Sequence, residues 1–188
     1  MAQDEQGSPA REQAQPVKLF VTVLYREEDL LEQARRLLTG LFGPEDSRSA
    51  PFPFDHTDFY TEEMGEPLSR IFISYERLVH PQYLVAAKLE AARIEAELAG
   101  PGGKRRVNID PGTLDYLKVV LASFKFMPYK IYLDRGVWAD LTLYYRKGGW
   151  EKFEWTFPDF KTGRFDKTLL GIRRIYKRQR LETSSEPE

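Results

Sequence analysis

The apolar positions of residues 17–110 change between the spacing of strands and that of helices. Residues 17–25 carry aliphatic side chains on both sides of a strand alternation, which is typical of a strand covered on both faces. Two apolar stripes at helical spacing each predict a helix that buries one face. The predicted elements are, in chain order, strand 17–25, helix 27–42, a loop at 47–53 followed by a Pro-marked edge strand at 52–60, strand 68–76, helix 81–100 and strand 106–110.

This order of elements is that of the ferredoxin-like βαββαβ arrangement, in which both helices lie on one face of the sheet. We expect Pro111-Gly112 to end the last strand of this core. The opposite face would then display a mixed polar and aromatic surface made of Lys18, Phe20, Thr22, Arg70, Phe72, Ser74, Arg106, Asn108 and Asp110. Such a surface predicts a binding face unless another part of the chain covers it.

The alternation becomes shorter after residue 110 and predicts an antiparallel extension with a closing helix. The predicted strands are 117–126, 130–133, 137–145 and 150–155, with turns at Arg135-Gly136 and Gly148-Gly149. Helical spacing from Phe165 to Tyr176 predicts the last helix. The extension either continues the first sheet or folds across its open face and forms a cleft with it. The predicted fold class is therefore α+β: a ferredoxin-like βαββαβ core with an antiparallel β extension and a C-terminal helix.

The distribution of apolar residues also predicts the domain organisation. We expect a single α+β domain over 17–180, divided into the core (17–110) and the extension with its helix (111–180). Residues 1–16 and 181–188 lack the apolar side chains that would offset chain entropy, so we expect both segments to be disordered. Because no apolar run is long enough for a signal peptide or a membrane span, we expect a cytoplasmic protein with no membrane partner.

Composition excludes several classes of function. The net charge of the 188 residues is −1, which disfavours a general polyanion binder, because such proteins gain affinity from a basic surface. The chain has no cysteine, which rules out disulfides, thiolate nucleophiles and Cys-ligated metals. The imidazoles are those of His56 and His80, too few and too far apart in sequence to favour a His-rich metal centre.

Charged and polar residues near the ends of the predicted core strands are the candidates for chemistry. The candidate ligand-binding residues are Arg106, Asn108, Asp110, Lys125 and Arg70, because cations and an amide at strand ends can hold an anionic group.

Three carboxylates suggest a metal site in the same region. If Asp58, Glu63 and Asp110 converge in space, their oxygens suit Mg²⁺ or Mn²⁺. Alternatively, the acidic segment 55–66 is a solvated loop and Asp110 caps the turn at Pro111-Gly112. Direct roles of these carboxylates as acid or base are a third interpretation.

Several sequence blocks resemble one known family. The run Arg105-Arg-Val-Asn-Ile-Asp-Pro-Gly112, with Phe54-Asp-His-Thr-Asp-Phe-Tyr60 before it and Trp155-Thr-Phe-Pro-Asp-Phe160 after it, is similar to the bacterial domain-of-unknown-function 4416 family over roughly 17–180. Members of that family are sometimes labelled GTP-binding. However, Gly100–Arg105 lacks the Gly-x4-Gly-Lys-Ser/Thr spacing of a P-loop and runs into a predicted strand, so we interpret its glycines as a flexible connection.

The resulting functional hypothesis is the binding of a small anionic, phosphate-bearing ligand, with or without a metal ion, in a cleft between core and extension. A first alternative is an RNA-binding module that stacks bases on Phe20 and Phe72, which requires both rings to be exposed. A second alternative is a non-enzymatic domain that binds another protein through the open face. Both binding alone and catalysis are compatible with the candidate residues.

Overall fold

The computed structural model describes residues 12–55, 57 and 60–183 of the chain. Its helices and strands alternate in the first part and become mainly strands after residue 106. The elements are β1 (Val17–Tyr25), α1 (Glu28–Phe42), β2 (Glu45–Arg48), β3 (Phe52–Pro53), α2 (Thr61–Met64), β4 (Ser69–Val79), α3 (Tyr83–Glu97), β5 (Val107–Leu114), β6 (Lys118–Ser123), β7 (Ile131–Asp134), β8 (Val137–Arg146), β9 (Gly149–Lys152), α4 (Pro158–Lys161) and α5 (Asp166–Thr183).

The strands of the described residues form one nine-stranded sheet in the order β2-β4-β1-β5-β6-β8-β7. In addition, β3 pairs with β4, and β9 pairs with β8. Every pairing is antiparallel. The structure confirms the combination of helices with an antiparallel sheet. The sheet is larger than the predicted four-stranded core, because the extension continues it through the pairing of β5 with β6.

Two hydrophobic layers enclose the central strands. On one face, α1 and α3 pack their apolar stripes against β1, β4 and β5 through residues such as Leu38, Ala91 and Val21. All nine residues of β1 are buried, which confirms that this strand is central and covered on both faces. The core therefore lies on both sides of β1.

The face predicted to be open is covered by the C-terminal helices. Phe20 and Phe72 are buried beneath α4 and α5, where they pack with Phe160, Phe165 and Leu169. The helices α4 and α5 provide this cover, while the antiparallel extension continues the sheet beyond β5.

The buried Lys18 of β1 connects the helix α5 to the edge strand β2 through hydrogen bonds. Its ammonium donates to Asp46 of β2 and to Gln179 of α5, the latter at 2.8 Å. Gln179 in turn donates to the carbonyl of Glu76 at 2.6 Å. Burial lowers the pKa of Lys18, while the hydrogen bond to Asp46 acts in the opposite direction. The helix is thus attached to the sheet by polar contacts as well as by its apolar stripe.

The edge strand predicted at 52–60 is confirmed only at β3, where Phe52 and Pro53 pair with β4. The same edge of β4 also pairs with β2, which falls partly in the segment predicted as a loop. Residues 56, 58 and 59 lie outside the described residues. Pro51 and Pro53 lack the amide hydrogens that a longer ladder requires. The residues of β2, Glu-Asp-Ser-Arg, are all polar and therefore show no apolar alternation.

The predicted disordered ends lie mostly outside the described residues, which exclude 1–11 and 184–188. Within the described part, α5 extends to Thr183, beyond the predicted domain boundary at 180. The hydroxyl of Tyr176 donates to the carbonyl of Pro16 at 3.0 Å, so the segment before β1 contacts α5.

The last core strand does not end at Pro111-Gly112 as predicted, because β5 continues to Leu114. The amide of Ile109 points away from β1, since it donates to Glu95 of α3. The nitrogen of Pro111, two residues further, has the same direction, so its missing hydrogen removes no bond to β1. Gly112 lies beneath the Phe20 ring: a Cβ at this position would be 2.5 Å from Phe20 Cζ and 2.8 Å from Leu121 Cδ2.

We therefore expect Gly112→Ala to lower the free energy of unfolding by about 1–3 kcal/mol, because the added methyl group displaces a ring in a packed core. Gly149→Ala is the matched control, since a Cβ at Gly149 meets no atom within 4 Å. Its expected cost is below about 0.5 kcal/mol. Urea unfolding followed by tryptophan fluorescence measures both, and equal costs for the two variants would contradict this packing role.

Candidate functional site

The strands β5 and β6 separate toward one end of the sheet and leave a gap at the junction of core and extension. They pair only from Gly112 opposite Leu121 to Leu114 opposite Val119. The outer edge of residues 107–111 has no strand partner among the described residues. We call this space, bounded by 107–111 on one side and by 122–130 on the other, the β5–β6 gap.

Side chains of α3 satisfy the backbone of β5 along the gap. Lys88 and Glu95 lie seven residues apart, so they project from the same face of the helix. The amide of Ile109 donates to Glu95 at 2.5 Å, and the carbonyl of Ile109 accepts from Lys88 Nζ at 3.1 Å. Both charged side chains are buried. The helix therefore replaces the missing strand as the partner of β5 at this point.

Asp110 lies at the centre of the charges in the gap. Its Oδ1 accepts from Lys88 Nζ at 2.9 Å, and its Oδ2 accepts from the Asn108 amide at 2.7 Å. Burial acts to raise the pKa of Asp110, but Lys88, Arg70 and Asn108 outweigh it, so the pKa lies below its ordinary value. Burial raises the pKa of Glu95. Asp110 is thus held in the charged form.

Arg105 extends this network to the short helix α2. Its guanidinium binds the Glu63 carboxylate in a bidentate manner, with distances of 2.8 Å from Nε to Oε1 and 2.7 Å from Nη2 to Oε2. The remaining Nη1 donates to Asn108 Oδ1 at 2.7 Å. The hydrogen bond from Arg105 lowers the pKa of Glu63. A continuous chain of contacts therefore runs from Glu63 through Arg105 and Asn108 to Asp110.

The segment after β6 carries two lysines, Lys125 and Lys130, that border the gap. Lys130 donates to the Ser123 hydroxyl at 2.9 Å and forms an ion pair with Asp140 at 3.1 Å. Burial and then the charges of Arg105 and Lys130 lower the pKa of Lys125, while Asp110 acts in the opposite direction. Arg105 and Lys130 are therefore close enough to Lys125 for their charges to act on it.

Arg70 of β4 is buried and contacts both α4 and β1. Its Nε lies 3.3 Å from Asp159 Oδ2 of α4, and its Nη1 donates to the Thr22 hydroxyl at 3.2 Å. Its guanidinium also lies over the Phe54 ring, 5.1 Å from the centroid. Arg70 therefore links α4 to the sheet, and its charge helps to lower the pKa of Asp110.

A family model described as Domain of unknown function (DUF4416) matches residues 15–176. The chain belongs to the DUF4416 family. No curated protein and no solved structure matches it. The DUF4416 match extends from the segment before β1 into α5 and so includes every residue named above in the gap.

Four of the five ligand-binding candidates predicted for this DUF4416 chain lie in or beside the gap, namely Arg70, Asn108, Asp110 and Lys125. Arg106 does not. It donates to Glu27 at the start of α1 at 2.8 Å, and its side chain is 41% exposed. The strand begins only at Val107, so the alternation that groups Asn108 with Asp110 does not extend back to Arg106. Arg105, and not Arg106, contacts Asn108 in the gap.

The sequence pattern did not lead to the prediction that Lys88 and Glu95 belong to the candidate site. A signal was present, because both charged residues fall on the apolar stripe of α3 together with Leu84, Ala91 and Leu98. Charged side chains are rarely buried without a partner. Their position on the stripe could therefore have indicated a polar partner on the neighbouring strand.

Two of the three predicted metal ligands of the DUF4416 chain, Glu63 and Asp110, lie within the described residues. Asp58 and the neighbouring His56 lie outside the described residues. Glu63 binds Arg105, and Asp110 binds Lys88. Among residues 12–55, 57 and 60–183, no group of three or more His, Asp or Glu side chains is arranged to hold a metal ion.

The structure bears on two further predictions for the DUF4416 chain, the stacking of bases on Phe20 and Phe72 and the connection through the glycine segment. Phe20 and Phe72 are buried, so their rings are not accessible to bases in this structure. Pro101–Gly103 form a single 3₁₀ turn, and the chain then continues into the strand β5 and not into a helix, as predicted. No helix in the described part of the chain is long and apolar enough to cross a membrane.

Proposed function

We propose that the protein binds a small, phosphate-bearing anion at the mouth of the β5–β6 gap. The ligand would be held by Arg105, Lys125 and Lys130, with the Ser123 hydroxyl as a further polar contact. The observations that carry this proposal are that Lys130 donates to the Ser123 hydroxyl and that the charges of Arg105 and Lys130 both act on the exposed Lys125.

Electrostatics explains why such an arrangement favours an anion. Like charges at short range raise one another's energy, and burial strengthens the effect because less water screens them. Desolvation is the first cause of the lowered pKa of Lys125, and the charges of Arg105 and Lys130 add to it. A phosphate group would offset the repulsion and accept several charge-assisted hydrogen bonds at once.

The cations of the chain, and not a metal ion, carry the recognition in this proposal. A divalent ion at Glu63 or Asp110 would have to displace the bound Arg105 or Lys88. Phosphate binding is therefore expected without Mg²⁺ or Mn²⁺. A response that appears only when one of these ions is added would favour the metal-assisted form of the hypothesis instead.

A thermal-shift titration with pyrophosphate tests the proposal. At about 100 times its Kd, a ligand of the folded state raises the free energy of unfolding by about 2.7 kcal/mol. For a domain of this size, that corresponds to a rise in Tm of about 5–10 °C. Sodium chloride at equal ionic strength controls for screening by salt.

The matched variants are Lys125→Ala in the cluster and Lys177→Ala, an exposed cation on α5. We expect Lys125→Ala to reduce the pyrophosphate response at least severalfold and Lys177→Ala to leave it unchanged. An equal response of the two variants, or no response of the unmodified protein, would contradict the proposed site.

We also propose that β1, α1, β2, β4, α3 and β5 form a ferredoxin-like unit to which the later strands were added. The strand order β2-β4-β1-β5, the antiparallel pairings and the position of α1 and α3 on one face support this proposal. An experimental structure with a different order of these four strands would overturn it.

A further inference from the structure

The strand β7 ends the sheet on the side of the extension. Within the part of the chain that the structure describes, it pairs only with β8, and all four of its residues are exposed. Its sequence is nevertheless mostly apolar, since Ile131, Tyr132 and Leu133 precede Asp134. Proteins usually protect an edge strand with charges, prolines or a covering element. An apolar exposed edge of this kind is suited to pairing with another strand.

The exposed apolar surface continues from β7 onto the preceding segment. The rings of Phe126 and Tyr132 both pack against Trp138 of β8, with centroid distances of 5.2 Å and 5.1 Å. The large exposed side chains of this surface are Phe124, Phe126, Met127, Ile131, Tyr132 and Leu133. We call them the β7 patch.

We infer that two copies of the chain associate through the β7 patch, with β7 of each copy paired antiparallel to β7 of the other about a two-fold axis. The opposite edge of the sheet argues against a head-to-tail alternative. There β2 is a short Glu-Asp-Ser-Arg strand with an irregular register against β4. A charged edge does not complement the apolar β7, whereas a second β7 does, and such an isologous contact closes as a dimer.

One register of this pairing matches apolar residues with one another. If Tyr132 lies opposite Tyr132 of the second copy, Ile131 lies opposite Leu133 of that copy. A register centred on Leu133 would place Ile131 opposite the charged Arg135. The first register is therefore the one that we assign.

The size of the patch agrees with a stable contact between two copies. Taking about 200 Å² for one large side chain, the exposed parts of the β7 patch amount to on the order of 600 Å² per copy. Two copies that covered the whole patch would together bury on the order of 1,200 Å², which is the lower end of the range for specific interfaces. Backbone hydrogen bonds between the two β7 strands would add to this contact.

The mass of the full chain in solution tests the inference. By light scattering coupled to size exclusion, we expect about twice the chain mass of 21.9 kDa. Ile131→Asp is expected to restore the monomer, because it places two carboxylates in the new ladder. Ile131 is 69% exposed, so the fold does not require it. Leu181→Asp, at a position that is 64% exposed on α5, is the matched control and should remain a dimer.

Cysteine cross-linking tests the register, because the chain contains no cysteine of its own. Residues opposite each other in an antiparallel pair have Cα atoms about 4.5–5.5 Å apart, within the range for a disulfide. Mild oxidation should therefore convert Tyr132→Cys into a covalent dimer and leave Leu181→Cys monomeric under denaturing conditions.

Three results would overturn the inference. The first is a monomer mass at on the order of 100 μM, well above the micromolar dissociation constants of weak specific interfaces. The second is a dimer that persists in Ile131→Asp. The third is a failure of Tyr132→Cys to cross-link while Leu181→Cys does, which would place the contact between the copies elsewhere. A monomer mass would leave a strand of another protein as the alternative partner of β7.

Discussion

Lys88→Met should lower the free energy of unfolding by about 3–5 kcal/mol, the cost of removing one partner from a buried ion pair. The methionine retains an apolar stem, so the change removes mainly the ammonium. Asp110 then loses its closest cation, and the carbonyl of Ile109 loses a donor. Urea unfolding at neutral pH measures the difference, and an unchanged m-value would show that the compactness of the end states is unaffected.

Arg93→Met is the control for the Lys88 variant on the same helix. The Arg93 side chain is 66% exposed and pairs only with Glu90 of α3 among the contacts described. Its replacement should cost less than about 1 kcal/mol. Combining Lys88→Met with Asp110→Asn should recover part of the loss, because no uncompensated carboxylate then remains. A loss below about 1 kcal/mol in Lys88→Met would contradict the role assigned to this lysine.

The cost of Lys88→Met should also depend on pH. The pKa of Asp110 in the folded protein lies below its ordinary value of 3.8, so its stabilising contribution is present above that value and is lost as the pH falls through the folded pKa. Lys88 supports the charged form. The difference between unmodified protein and variant should therefore shrink below about pH 4. A difference that stays constant to pH 3 would indicate that packing, and not charge, explains the loss.

Phe72→Ala should lower the free energy of unfolding by about 3–5 kcal/mol, as truncation of a buried phenylalanine does. The Phe72 ring contacts the rings of Phe20, Phe160 and Phe165, at centroid distances of 6.3, 6.0 and 4.9 Å. It therefore connects β4 to both C-terminal helices. We expect the loss to concentrate where those helices pack, so amide exchange in α5 should accelerate more than exchange in α3.

Phe126→Ala is the matched truncation of an exposed phenylalanine. The Phe126 side chain is 64% exposed, and its expected effect on unfolding of the monomer is below about 1 kcal/mol. Equal losses in the two variants, or equal acceleration of exchange in α3 and α5, would show that the sheet face under α5 is not closed as described. Measuring both variants in the Ile131→Asp background separates folding from association.

The regular part of the fold was predictable because its burial is uniform. The strand β1 is covered on both faces, so its apolar run carries a clear signal, and the stripes of α1 and α3 follow directly from the helices' contact with one layer. The strand β4 is likewise buried from Arg70 to Tyr75. These elements depend on local pattern alone, which sequence reasoning can evaluate.

The elements that were not predicted depend on neighbours that the pattern does not reveal. The polar β2 is a strand because the edge of β4 offers it hydrogen bonds, and β5 passes through Pro111 because that nitrogen faces the gap. That α5 covers Phe20 and Phe72 follows from how the chain returns to the sheet. Alternation placed Asn108 and Asp110 together, but it could not show that Arg105 joins them in place of Arg106.

The central claim is that the mouth of the β5–β6 gap binds a phosphate-bearing anion through Arg105, Lys125 and Lys130. A ¹H–¹⁵N NMR titration with pyrophosphate measures this most directly, because it reports on each backbone amide separately. We predict saturable shifts confined to the amides around these three residues and Ser123, which Lys125→Ala abolishes and Lys177→Ala preserves. Shifts centred on β2 or α5, or no saturable shift at all, would contradict the claim.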